Sequence, residues 1–187
     1  YTLLTPEDQP AVTDENGNIT LPGGGVIVTG NGTKIQLPAG STIDAGGKIT
    51  AGPEGATVSL NSGLTFNIRK GAELVPDDEA ALGFTGVTGN PFNDVNEKAW
   101  YYTSVNLAYT FGLFDGTSSA TFAPESAMTR AMFVQVLANL ENIDRTKYTK
   151  SRFSDVADGQ WYTAAVEWAA ENGIIKGISE SLFDPHA

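Results

Sequence analysis

Apolar and polar positions alternate in two different ways along the chain. Up to about residue 85 they follow a spacing of two, most clearly in Lys34-Ile35-Gln36-Leu37 and Leu64-Thr65-Phe66-Asn67-Ile68. Shorter runs of the same kind are Ile19-Thr20-Leu21, Val26-Ile27-Val28 and Thr57-Val58-Ser59-Leu60. A period of two sends successive side chains to opposite faces, so these runs predict β-strands with one buried face. Asn16-Gly17, Gly23-Gly24-Gly25, Asn31-Gly32, Gly46-Gly47 and Asn61-Ser62-Gly63 separate them and supply the positive φ angles that tight hairpins need. From Phe92 onward the spacing becomes three and four. Thr129–Leu140 carries Phe133, Val136, Leu137 and Leu140, a stripe that predicts the buried face of a helix. Trp100–Phe111 and Trp161–Asn172 are predicted as two more helices, stopped by Gly112 and Gly173, residues suited to a left-handed cap.

The stretch 77–91 contains Asp77-Asp78-Glu79, Gly83, Gly86 and Gly89-Asn90-Pro91 and reads as a linker. The expected organisation is an all-β domain over 1–76, the linker, a first helical repeat over 92–152 and a second, truncated one over 153–187. Within the β part, Gly17-Asn18-Ile19-Thr20 recurs as Gly47-Lys48-Ile49-Thr50, and Leu37–Ile43 resembles Ile68–Leu74, at spacings of 30 and 31. Such a period fits a short β-solenoid, the reading it favours, or a small sandwich of two similar hairpin units. The expected fold class is α+β as two domains: all-β first, then an all-α helical repeat bundle that is incomplete at its C-terminal end.

The helical part carries a second, stronger duplication. With Phe92 laid on Phe153, the stretch Phe92–Pro124 matches Phe153–Pro185 without a gap, with identities at 12 of 33 positions. The shared frame is Phe-x-Asp-Val, Trp-Tyr, Val, Ala, Gly, Gly, Ser and Phe-x-Pro. Asp94 and Asp155 precede a helix, where a carboxylate can accept orphan backbone N–H groups. Trp100 and Trp161 open the helices with a large apolar body, a role more typical of a core residue than of a sugar platform. This frame, followed by Met128-Thr129-Arg130-Ala131, resembles the S-layer homology repeat, and the resemblance covers about half of the chain.

The resemblance implies a pseudo-threefold helical bundle of three repeats whose grooves bind secondary cell-wall polysaccharide, often through a pyruvylated sugar. It thereby implies non-covalent anchoring of a secreted protein to a Gram-positive cell wall. It maps the family's Ile-Thr-Arg-Ala-Glu signature onto Met128–Met132, with Thr129 as N-cap and Arg130 as the groove cation. A guanidinium fork can bond both oxygens of a pyruvate ketal carboxylate. The candidate ligand-binding residues are therefore Thr129, Arg130, Asp94, Asp155, Trp100 and Trp161. Met132 stands where the family has Glu, so the reciprocal bond of a capping box is missing. No third repeat follows Pro185-His186-Ala187. The expectation is a piece of a longer protein that begins at Tyr1 as a mature or excised chain. Its truncated repeats are expected to self-associate or to leave an apolar face exposed.

Charge narrows the partners. The net charge is −11, the opposite of the basic face that releases counterions from nucleic acid or binds an anionic membrane. No apolar run reaches the length of a spanning helix, and the chain has no cysteine for disulfides or thiolate metal sites. With His186 as its one histidine, Ser-His or Cys-His catalysis has no parts. Asp14-x-Asn16-x-Asn18 begins like a calcium loop but lacks the central glycine and the closing acid, so an Asn-Gly turn is expected. No cofactor is expected and no enzyme activity. The alternative functions are an adhesin-like, carbohydrate- or protein-binding β domain, for which Tyr1, Phe66 and Phe84 are the available aromatics, or an accessory piece of a secreted polysaccharide-degrading enzyme.

Overall fold

The computed structural model describes residues 1–85 and 89–187; Gly86, named in the linker expectation, lies outside the described residues. Among the described residues eleven strands precede the first helix: β1 (Thr2–Leu4), β2 (Val12–Thr13), β3 (Ile19–Leu21), β4 (Gly25–Val28), β5 (Lys34–Leu37), β6 (Ser41–Ile43), β7 (Ile49–Thr50), β8 (Ala56–Ser59), β9 (Thr65–Ile68), β10 (Glu73–Pro76) and β11 (Phe84–Thr85). They form two antiparallel sheets, ordered β1-β4-β5-β8-β9 and β11-β10-β7-β6-β3-β2. After β1 the chain lays down two strands in one sheet, then two in the other. Each hairpin buries alternate residues: Ile35 and Leu37 of β5 point inward while Lys34 and Gln36 face solvent. Leu21, Ile43, Ile49 and Leu74 from one sheet meet Ile27, Ile35, Val58 and Ile68 from the other in a single core. Burying each such side chain is worth about 1.5–3 kcal/mol.

The recurrence read within the β part is structural. The set β3–β6 is repeated by β7–β10, strand for strand and sheet for sheet. The carboxylates of Asp14 and Asp44 open equivalent turns, accepting from the N–H groups of Asn16 and Asn18 in one and of Gly46 and Lys48 in the other. The would-be calcium loop is thus an Asx turn. Its hydrogen bonds, led by those from Asn18, hold the Asp14 carboxyl below its ordinary value.

The expected fold class is corrected here. Every paired strand is antiparallel to its neighbour, which removes the favoured solenoid of stacked coils: tight Gly turns reverse the chain after each strand. Nor is the second half an all-α bundle. It holds three short helices, α1 (Tyr102–Thr110), α2 (Arg130–Leu140) and α3 (Thr163–Glu171), and one 3-10 turn at Arg145–Lys147, so that the chain is mostly β. The helices are short because the Phe-x-Asp-Val and Phe-x-Pro segments of each repeat are loops. Pro124 and Pro185, the left-handed Ala123 and Asp184, and the glycines ahead of them break helical propagation.

Two compact units result, Tyr1–Phe122 and Ala123–Ala187. In the first, Phe111 at the end of α1 belongs to the β core, packed on Phe66 and Phe84 with ring centroids 4.7 and 5.8 Å away. Phe84 sits in β11, inside the stretch read as a linker. A second cluster around Phe92, Val95 and Val105 holds the rest of the first repeat. In the other unit, α2 and α3 pack through Ala131, Val134, Ala138, Ala165, Val166 and Ala169, with Phe153, Tyr162 and Phe183 beside them. The buried face of α2 is therefore Ala131–Val134–Ala138, and the predicted stripe is displaced: Phe133 is exposed, and Val136, Leu137 and Leu140 are half-buried. Small residues let two helices approach closely, and that face won over the bulkier one.

Candidate functional site

The duplicated frame builds the same local device twice. Helix α1 ends in a Schellman motif, Gly112 N–H donating to the Tyr109 carbonyl and Leu113 N–H to that of Ala108; α3 repeats it with Gly173 to Ala170 and Ile174 to Ala169. Both glycines take positive φ, as the motif requires. The next glycine of each frame is needed for space. A Cβ on Gly116 would lie 2.4 Å from Cε1 of Phe92, and one on Gly177 2.6 Å from Cε1 of Phe153. The residue between Phe and Pro is left-handed in both copies, Ala123 at φ 62° and Asp184 at φ 60°.

Asp94 and Asp155 do not cap the helices. Tyr101 and Tyr162 occupy those N-cap positions without a side-chain bond. Each aspartate instead reaches forward to the Phe-x-Pro loop of its own copy: Asp94 accepts from Phe122 N–H at 2.8 Å and Asp155 from Phe183 N–H at 2.9 Å and Asp184 N–H at 2.7 Å. Burial pushes the Asp155 carboxyl up, but the two backbone donors outweigh it and hold the group below its ordinary 3.8. Trp100 and Trp161 are not core residues either. They are 91% and 54% exposed, each set edge-on against the tyrosine that follows, and in the second repeat it is Tyr162 that is buried.

A cleft of about 340 Å³ opens beside the start of α2, between Thr129, Arg130, Phe133, Ile175 and Phe183. Thr129 is the N-cap, its hydroxyl accepting from Met132 N–H at 3.2 Å, and the Met132 side chain carries no carboxylate or amide to return a capping-box bond. The remaining N–H groups of the first turn are taken: Arg130 donates to the Ala187 carbonyl and Ala131 to that of Pro185. The Arg130 guanidinium stacks on the Phe183 ring at 4.5 Å and donates to the carbonyls of Phe183 (3.0 Å) and Lys176 (2.9 Å). Among the described residues no carboxylate forms an ion pair with it. The cleft is thus a mostly apolar trough, lined also by Met128, Val134 and Ala187, with a cation held at its wall.

Of the residues read from the sequence, Thr129 and Arg130 line this cleft. Asp155 stands behind it, fixing the backbone of Phe183, whose ring and carbonyl hold Arg130. Asp94 and Trp100 belong to the other compact unit. The sequence reading missed Phe183 and Lys176 as partners of Arg130, and Phe133 and Ile175 as walls. Phe183 was visible as a position of the duplicated frame, and Lys176 as a charge reversal, since its counterpart in the first copy is Asp115. Among the described residues there is no His/Cys/Asp/Glu group able to hold a metal ion and no helix long and apolar enough to cross a membrane.

The S-layer homology domain family matches at residues 91–132 and 152–187, the two copies of the frame. These stretches are S-layer homology repeats. The S-layer protein sap of Bacillus anthracis is 32% identical over 98 residues, covering 52% of this chain and 12% of its own length. The cellulosome-anchoring protein of Acetivibrio thermocellus is 28% identical over 120 residues, 62% of this chain and 26% of that protein. Exoglucanase XynX of the same organism is 29% identical over 114 residues, 56% of this chain and 10% of the enzyme. The chain spans about a tenth of the length of the first of these relatives and of XynX, and what the enzymes share with it is the S-layer homology region. The S-layer homology repeats make this a secreted, wall-associated cell-surface protein and their part of it an anchoring module.

Proposed function

We propose that the repeats anchor the protein by holding an acidic secondary cell-wall polysaccharide, with a pyruvylated sugar as the recognised group, and that they do so without catalysis. The observation that carries this reading is Arg130, a cation in a cleft that forms no ion pair with a carboxylate among the described residues. A ketal carboxylate gives it an ion pair, and a sugar ring fits the apolar wall of Phe133 and Ile175. Thr129 sets the start of the helix that carries the arginine, and Asp155 sets the loop that orients it; Asp94 does the same for the equivalent loop of the first repeat. The exposed indoles of Trp100 and Trp161 serve as stacking platforms for further sugars of the polymer. The β part acts as a spacer. Of its three aromatics, Phe84 is buried and Phe66 half-buried against Phe111, which leaves Tyr1 as its exposed ring and gives an adhesin-like sugar surface there little to stand on.

The test is co-sedimentation of the chain with purified pyruvylated wall polysaccharide. Arg130→Ala is expected to reduce retention at least tenfold, the loss of about 1.5–3 kcal/mol typical of a charged hydrogen bond, while circular dichroism stays unchanged. Chemical removal of the pyruvate from the polymer should have the same effect. Equal retention of wild type and variant, or of intact and depyruvylated polymer, would sink the proposal.

A further inference from the structure

The first repeat has no Thr-Arg helix ahead of it, yet an arginine stands in the corresponding place. Arg69, just after strand β9, precedes Arg130 by the same offset that lays Phe92 on Phe153. Its backbone N–H donates to the Thr110 carbonyl in the last turn of α1. Its guanidinium stacks on the Tyr109 ring at 4.4 Å. It also donates from Nε to the Tyr109 carbonyl, and from Nη2 to the Phe114 carbonyl and the Asp115 carboxylate. Arg130 too lies on an aromatic ring and donates to the turn after a helix, at Lys176, the position that duplicates Asp115. Both guanidinium groups thus lie on an aromatic ring and bond a carbonyl of the turn after a helix, although the rings (Tyr109 and Phe183) and the carbonyls (Phe114 and Lys176) do not hold matching positions of the frame. Where the second repeat has a lysine, the first has a carboxylate closing an ion pair.

We infer that Arg69, supplied by the β part, is the first repeat's counterpart of Arg130, and that Asp115 converts it from an anion-receiving cation into an internal clamp that fastens α1 to the sheets. Asp115 is 69% exposed and Arg69 28% exposed, so the ion pair sits at the surface with the guanidinium the better covered of the two. An incoming anion must displace Asp115 and then sit beside its charge. The clamp lies next to the Phe111–Phe66–Phe84 contact, where the last residues of α1 enter the β core. Sheets that grow by adding strands end in an exposed edge, and a terminal element that covers the edge is the usual remedy. Strand β9 is such an edge, and Arg69 together with the Phe66–Phe111 contact brings the end of α1 against its last residues.

The part of this inference that concerns ligands rests on Arg130 being the ligand cation; the clamp does not, and the experiment separates the two. In thermal melts of the full chain followed by amide signals of the β-strands, Arg69→Met and Asp115→Asn should each lower the midpoint by a few degrees. The double variant should fall no further than Arg69→Met alone. Additive losses overturn the clamp. The arginine Nε–Hε signals are then followed while purified pyruvylated wall polysaccharide is added. In the wild type the Arg130 signal shifts and that of Arg69 does not; in Asp115→Asn both shift. A shifting Arg69 signal in the wild type, or a silent one in Asp115→Asn while Arg130 responds, overturns the assignment of Asp115. Silence of Arg130 in the wild type overturns the polysaccharide reading and leaves the clamp judged by the melts.

Discussion

Ala123 and Asp184 show how a repeat imposes geometry on individual residues. Both sit between the Phe and Pro of their copy and both are left-handed, although a side chain with a Cβ loses about 1–2 kcal/mol there. The surrounding loop holds them, through Asp155 in the second repeat, which takes the N–H groups on either side of the Phe183 carbonyl. Ala123→Gly should therefore stabilise the protein by about 0.5–1 kcal/mol, since relief of the strain exceeds the entropy that glycine adds to the unfolded chain; a urea titration checks it. Asp155 makes the second repeat acid-sensitive. Its folded pKa lies below the ordinary 3.8, so its stabilisation is present in full above that value and is lost as the pH falls through the folded one. Urea midpoints measured down a pH series should drop more steeply below pH 3.8 in the wild type than in Asp155→Asn.

At the scale of elements, two glycines of the same frame test different physics. Gly112→Ala meets no atom within 4 Å, so its effect is the left-handed penalty alone, about 1–2 kcal/mol. Gly116→Ala drives a Cβ to 2.4 Å from Phe92 and 2.6 Å from the Thr121 carbonyl, and should destabilise by roughly 3 kcal/mol or more. Comparable losses from both would show that the frame does not pack as described. The helices themselves were legible from spacing and from their glycine stops, with only their ends shifted. The face that α2 buries was not. Its sequence offers both an Ala131–Val134–Ala138 line and a Phe133–Val136–Leu137–Leu140 line, and only the small-residue helix opposite it, with Ala165 and Ala169, decides between them. Trp100 and Trp161 were misplaced for a similar reason. A Trp-Tyr pair at the start of a helix can turn either ring inward, and in the second repeat, where Tyr162 is buried, the space beside Phe153 and Phe183 takes the tyrosine.

At the scale of the molecule, the compact units have separate apolar cores. Calorimetry should resolve two transitions, and Arg69→Met should shift only the one that belongs to Tyr1–Phe122. The unit Ala123–Ala187 leaves Met128, Phe133, Ile174, Ile178 and Leu182 exposed, an apolar set that should make the chain self-associate with rising concentration in analytical ultracentrifugation. Phe133→Ser at its centre should weaken that association.

Periodicity and duplication within the sequence determined the strands β3, β4, β5, β8 and β9 and the three helices, that the β part repeats one unit, and that an S-layer homology frame occurs twice. These properties are local: they follow from side-chain alternation, from residues able to take positive φ, and from identity between copies. Tertiary structure alone decided that the strands run antiparallel in two sheets rather than in coils, and that the chain is mostly β rather than half a helical bundle. It alone also decided that Phe111 and Arg69 tie the first helix to those sheets. Each of these depends on which apolar surfaces meet between segments far apart in the chain, and neither hydrophobic spacing nor glycine position records that choice.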